Sequence, residues 1–127
     1  CARFGFRAVH GKRLELGGLG FAFLGYSNPT PFDTPGEYSE AEIARRLDPF
    51  REPPPDVLVC HCPPHGTALD LMRNGAHAGS ASIREFIDAV QPRWFFSGHI
   101  HETAGVTAQL GRTTGTNPGK QGFLFEF

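Results

Sequence analysis

The sequence predicts an α/β fold, and three observations carry that prediction. Residues 57–60 (Val-Leu-Val-Cys) and 94–96 (Trp-Phe-Phe) are short apolar runs with the composition of buried strands. A helix-start signature precedes each: Ser39-Glu40-Ala41-Glu42 before the first run and Ser82-Ile83-Arg84-Glu85 before the second. Each run then leads into histidines, His61 in one case and His99 and His101 in the other. Open α/β sheets gather their ligands at the carboxyl ends of their strands.

Taken in order, residues 1–10 carry no clear period. Residues 13–16, the pair Gly17-Gly18 and residues 20–26 predict a hairpin in which Phe21 and Phe23 face one side and Ala22 and Leu24 the other. The stretch 27–36 holds three prolines, whose fixed φ keeps it out of the sheet. The capping box at Ser39 predicts a helix over 40–47, with Ile43 and Leu47 as its apolar stripe and Arg45 and Arg46 complementing the dipole at its end. Pro53-Pro54-Pro55 is a stiff connector into a strand over 56–60. The stretch 63–79, rich in Gly, Ala and His, reads as a long loop with a helical turn near 69–73. A second helix opens at Ser82, its Ile83, Phe86, Ile87 and Val90 falling at i, i+3, i+4 and i+7. Strands follow at 93–97, 105–109, 113–115 and 122–127, the last read from alternating Phe123, Phe125 and Phe127.

Length allows one domain with a modest core, over residues 1–127. Twelve basic against thirteen acidic residues leave no broad field to hold nucleic acid or an anionic membrane, so any phosphate affinity must be local. No apolar run reaches the roughly 18–20 residues of a membrane span, and no signal peptide is evident, which makes the cytoplasm the expected compartment. Three cysteines make no disulfide framework. Cys60 and Cys62 flank His61 without the spacing of a zinc knuckle, and as small buried hydrophobes they need no further role.

The chemistry lies in Cys60-His61-Cys62-Pro63-Pro64-His65-Gly66 and Ser97-Gly98-His99-Ile100-His101. In an extended backbone His99 and His101 point the same way with their Cα atoms roughly 7 Å apart, a spacing at which each could grip a different ion of a pair about 3.5–4 Å apart. His65 and His77 are candidate substrate contacts from the long loop, although neither has an evident partner in the sequence.

This set of motifs resembles the calcineurin-like metallophosphoesterases, in which a histidine after a strand, often followed by Pro-Pro and Gly, precedes Gly-His-x-His. The likeness extends to residues 27–32, to Gly79-Ser80 opening a helix, and to Thr116-Asn117-Pro118-Gly119 before a final strand. The resemblance implies the C-terminal part of an α/β/β/α sandwich with mixed sheets. It implies a metal-dependent phosphoric ester hydrolase, with His61 and His99 on one ion of a dinuclear Mn, Fe, Zn or Ni centre, His101 on the other, and Asn117 beside the substrate. The Asp-x-His, Gly-Asp-x-x-Asp and Gly-Asn-His or Gly-Asn-Asn motifs that carry the family's carboxylates do not occur in these residues.

That absence has a physical consequence. Imidazoles bring no negative charge, and two divalent ions about 4 Å apart repel by around 17 kcal/mol at an effective dielectric of about 20. At most one ion is therefore expected here, with little hydrolysis by the isolated chain. Asp33, Asp56, Asp70 and Glu102 have no evident bridging position. The expected partners are a phosphate ester and either a second copy or a complementing chain. The alternative is a non-catalytic protein-interaction scaffold of the same fold.

Overall fold

The glycine pair turns the chain back as expected: Gly17 and Gly18 have φ of 59° and 80°, the backbone that a two-residue hairpin turn needs. It pairs β1 (Lys12–Leu16) antiparallel with β2 (Leu19–Leu24), from Leu16 opposite Leu19 to Lys12 opposite Phe23. The computed structural model describes residues 2–30 and 35–126. The Pro31-Phe32 part of the proline stretch, Asp33, Cys1 and Phe127 lie outside the described residues.

Helix α1 (Glu40–Leu47) begins where the capping box puts it, with Ser39 Oγ accepting from the Glu42 N–H at 3.2 Å. Strand β3 (Val57–Cys60) follows. Helix α2 (Ala81–Val90) starts two residues earlier than the Ser82 signature implies. Its N-cap is Ser80, whose Oγ accepts from the Ile83 N–H at 3.2 Å and donates to Glu40 at 2.8 Å. Ser82 instead lies in the first turn and donates to the Glu40 carbonyl. Tertiary contact with α1 therefore selected between two equally good local caps. Strands β4 (Trp94–Phe96), β5 (Thr107–Leu110) and β6 (Thr113–Thr116) complete the sheet.

The strands form one mixed six-stranded sheet in the order β1-β2-β3-β4-β6-β5. Its four central strands run parallel, and an antiparallel strand closes each edge. The chain is thus a mixed α/β fold. Both helices contribute to the core against one face of the sheet: Ile43, Leu47, Phe86 and Ile87 join Ala22, Leu24, Leu58, Cys60 and Phe95 there. On the other face Phe21, Phe23, Val59, Trp94 and Phe96 are only half-buried.

Two expected elements differ. No strand forms over residues 122–126; Phe125 instead sets its ring edge-on to Trp94 and Phe96, at centroid distances of 4.8 and 4.7 Å. The alternation reflects aromatic cover over the sheet face, not a ladder. The helical turn near residue 70 is also absent. Met72 and Ala76 close a small hairpin there, with Leu71 bridged to His77: the Met72 N–H goes to the Ala76 carbonyl and the Arg73 N–H to Glu102, so neither closes a helical turn. Among the described residues no helix is long and apolar enough to cross a membrane.

Candidate functional site

The four parallel strands end along one edge, and backbone bonding continues one residue past them. His61 N–H donates to the Leu24 carbonyl, Gly98 N–H to that of His61, and Ser97 N–H to that of Thr116, each at 3.0 Å. The sheet therefore grips the backbone on which the candidate histidines hang. Gly98 sits against the His61 ring, which a Cβ there would approach to 3.7 Å.

His61 and His99 come together. His61 Nε2 and His99 Nδ1 are 3.3 Å apart, and the rings meet at 73°. His99 achieves this with φ of 63°, a left-handed backbone costing about 1–3 kcal/mol in a residue with a Cβ. The expected extended run from His99 to His101 fails for this reason. His99 turns the chain, and His101 opens a short 3-10 turn, His101–Thr103. His101 is exposed and lines the same cleft as His99, a space of about 740 Å³.

The two rings are electrostatically linked. Burial lowers the His61 pKa below the ordinary imidazole value, and nearby His101 lowers it further. Burial also lowers that of His99, with His61 and His101 adding to the effect and Glu37 opposing it. Glu37, anchored by the Thr30 backbone and hydroxyl, is a carboxylate that sequence reasoning missed. It lies 62 positions from His99, and no local pattern connects the two.

A divalent ion can be tested against this arrangement. Zinc binds imidazole nitrogen at about 2.0–2.1 Å, so two nitrogens on one tetrahedral ion lie about 3.3–3.4 Å apart. The His61–His99 separation fits that edge. Beside them Ser97 Oγ is buried with no hydrogen-bond partner among the described residues, the kind of orphan that a bound ligand or water satisfies. Among the described residues, no three His, Cys, Asp or Glu side chains converge to hold an ion. The pair supplies two nitrogens at that spacing, with no third such donor converging on them among the described residues.

The remaining candidates separate clearly. Asn117 is 2% exposed; its amide donates to the Ile100 carbonyl and Thr103 Oγ1, each at 2.9 Å, and its Oδ1 accepts from the Gly119 N–H. Its observed work is to hold the turn carrying His101. Asp56 accepts from the Gly20 N–H, and Glu102 from the Arg73 N–H. Cys62 Sγ donates to Asn28 Oδ1 at 2.8 Å, and burial pushes its thiol up to about 12. His65 and His77, for which the sequence suggests no partner, both turn toward Asp70, at 3.6 and 2.7 Å.

No protein-family model matches the chain. It is 35% identical over 118 residues to the uncharacterized protein MJ1162 of Methanocaldococcus jannaschii, a match covering 89% of this chain and 53% of that protein. It is 42% identical over 53 residues to UPF0046 protein T07D4.2 of Caenorhabditis elegans, covering 41% of this chain and 13% of that one. One solved structure superposes with a TM-score of 0.72 at 22% identity, over 94% of this chain and 48% of its own. The crystal structure of TT1561 of Thermus thermophilus gives 0.58 at 17% identity, over 87% and 48%. The chain spans about half the length of MJ1162 and of both structures, and the structural likeness shows a shared fold.

Proposed function

We propose that this chain is part of a metal-dependent phosphoric ester hydrolase of the calcineurin-like metallophosphoesterase type, and that it contributes histidine ligands to the metal centre. The observation that carries this reading is the His61–His99 pair, with facing nitrogens 3.3 Å apart at the carboxyl edge of the parallel strands. Imidazole donors suit Mn, Fe, Zn and Ni. A bound divalent ion supplies Lewis-acid polarisation of a phosphoryl oxygen.

The chain's own residues hold and aim. His61 and His99 supply two neutral nitrogen donors, and the strained turn at His99 fixes which nitrogen faces inward. His101 lines the cleft in which a phosphate ester would lie. The carboxylates needed to offset a second ion are not assembled among the described residues, so one ion is the expected load. The same shortfall keeps a non-catalytic scaffold as the second reading.

Manganese-dependent hydrolysis of a p-nitrophenyl phosphate diester tests the proposal. A slow rate that falls to the metal-only background in His61→Ala and His99→Ala supports it. A rate unchanged in both variants overturns it, and absence of any metal binding near neutral pH favours the scaffold.

A further inference from the structure

The stretch from His65 to Ser80 contains a second cluster of titratable groups, built around a carboxylate that is wholly buried. Asp70 is 0% exposed. Its Oδ1 accepts from the Thr67 N–H at 2.8 Å and from His77 Nδ1 at 2.7 Å; its Oδ2 accepts from the Gly66 and Gly79 N–H groups at 3.1 and 2.9 Å. Four bonds saturate this carboxylate, so it is not a free ligand for an ion. Because an ionised carboxylate only accepts, the His77 proton must sit on Nδ1, which leaves Nε2 as the ring's exchangeable position. A buried carboxylate that sets the tautomer of an imidazole is the arrangement by which acid–base histidines are oriented.

The second imidazole lies alongside. His65 Nδ1 is 3.6 Å from Asp70 Oδ2, and the two rings are 5.8 Å apart at 70°. Their side chains are 53% and 35% exposed for His65 and His77, so two rings backed by one carboxylate stand open to solvent. The charged groups around His77 are Asp70 and His65; Glu102 reaches the same loop at the Arg73 N–H. His65 follows His61 by four residues, which keeps their Cα atoms within about 14 Å of each other.

We infer that Asp70, His77 and His65 form a phosphoryl-binding subsite in which His77 Nε2 shares a proton with a phosphate oxygen. Phosphate as the ligand class rests on the hydrolase reading above. His77 is the residue that touches the ligand, and Asp70 is a positioning residue acting through it. Since Nδ1–H is committed to Asp70, the shared proton must arrive with the ligand or from solvent. Binding therefore takes up a proton, and affinity rises from about pH 8 to about pH 6.5 as the phosphate itself gains its second proton.

Inorganic phosphate titrated into the metal-free 127-residue chain tests this, read on the imidazole Cε1–H signals by NMR. The expected result is that His65 and His77 shift together and saturate, with affinity rising severalfold over that pH interval. In His77→Gln, which leaves Asp70 its three backbone bonds, affinity falls at least tenfold and its pH dependence disappears. Asp70→Asn weakens binding in the same direction. Unmoved His77 signals, or unchanged affinity in His77→Gln, would overturn the subsite. Zinc added to the same sample reports separately on His61 and His99: their failure to respond counts against the hydrolase reading, and phosphate shifts at His77 stand or fall without it.

Discussion

The left-handed φ of His99 accompanies an Nδ1 that faces His61, so on the proposed reading its loss should be felt in metal affinity far more than in folding. We expect His99→Ala to weaken zinc binding by more than about a hundredfold, beyond the 10–100-fold typical of residues outside the ligand shell, and His77→Ala to change it little. Equal losses in calorimetric titrations of the two variants would assign the ligands wrongly. Asp70 supports a pH prediction. Burial alone would raise its carboxyl, but the His77 bond and the Thr67, Gly79 and Gly66 N–H groups outweigh it and hold it below the ordinary range. Folding then favours the ionised form, which stabilises the chain above the unfolded carboxylate range near about pH 4 and stops doing so as pH falls through the folded value. Urea midpoints should therefore show Asp70→Asn losing less stability than the parent between pH 7 and pH 3. At pH 7, Asp70→Ala should cost about 2–4 kcal/mol by stranding buried N–H groups. An unaltered acid limb in the Asn variant would contradict this account. The placement of His61 and His99 at neighbouring strand ends was legible in the sequence, since each follows a short apolar run. Asp70 and Glu37 were not, because their roles depend on loop closure and on a contact between distant segments, which leave no local pattern.

At the scale of elements, local signals sufficed for the hairpin and the first helix, and failed where alternating Phe123 and Phe125 predicted a strand that does not form. The hairpin at Gly17-Gly18 and the helix behind Ser39 form as their residues dictate. Ser80 and Ser82 offered two starts for α2, and the choice fell to Glu40 on the other helix, which accepts from Ser80 Oγ and the Ser82 N–H. Ser80→Ala should thus lose both a cap and an interhelical bond, a cost of about 2 kcal/mol, measurable as a shift of the urea midpoint. A cost no larger than that of removing an exposed cap would mean the Glu40 contact adds nothing. Gly79 is tighter still: a Cβ there would lie 2.6 Å from the Pro63 carbonyl oxygen and 2.8 Å from the Pro64 carbonyl carbon. These are backbone atoms, so Gly79→Ala should distort the Asp70 loop, seen as displaced His65 and His77 signals, while the His61 and His99 signals remain.

Across the whole molecule, the asymmetry of the sheet is the dominant feature. One face is closed by two helices, whereas the other carries half-buried Phe21, Phe23, Val59, Trp94 and Phe96, with Phe125 laid over part of it. A partly covered apolar face is an association surface, and we expect light scattering to find the chain as a dimer or larger at micromolar concentration. A monodisperse monomer with a cooperative melt would show that this face is stable in water. The proposal to be tested is that His61 and His99 together hold one divalent ion and that the chain does not hold two. Metal content after equilibration with zinc and desalting, measured by mass spectrometry against protein concentration, tests it most directly. The account predicts a ratio near one per chain for the parent and near zero for the His61→Ala/His99→Ala double variant; two tightly held ions per chain, or a ratio unaffected by the double substitution, would contradict it.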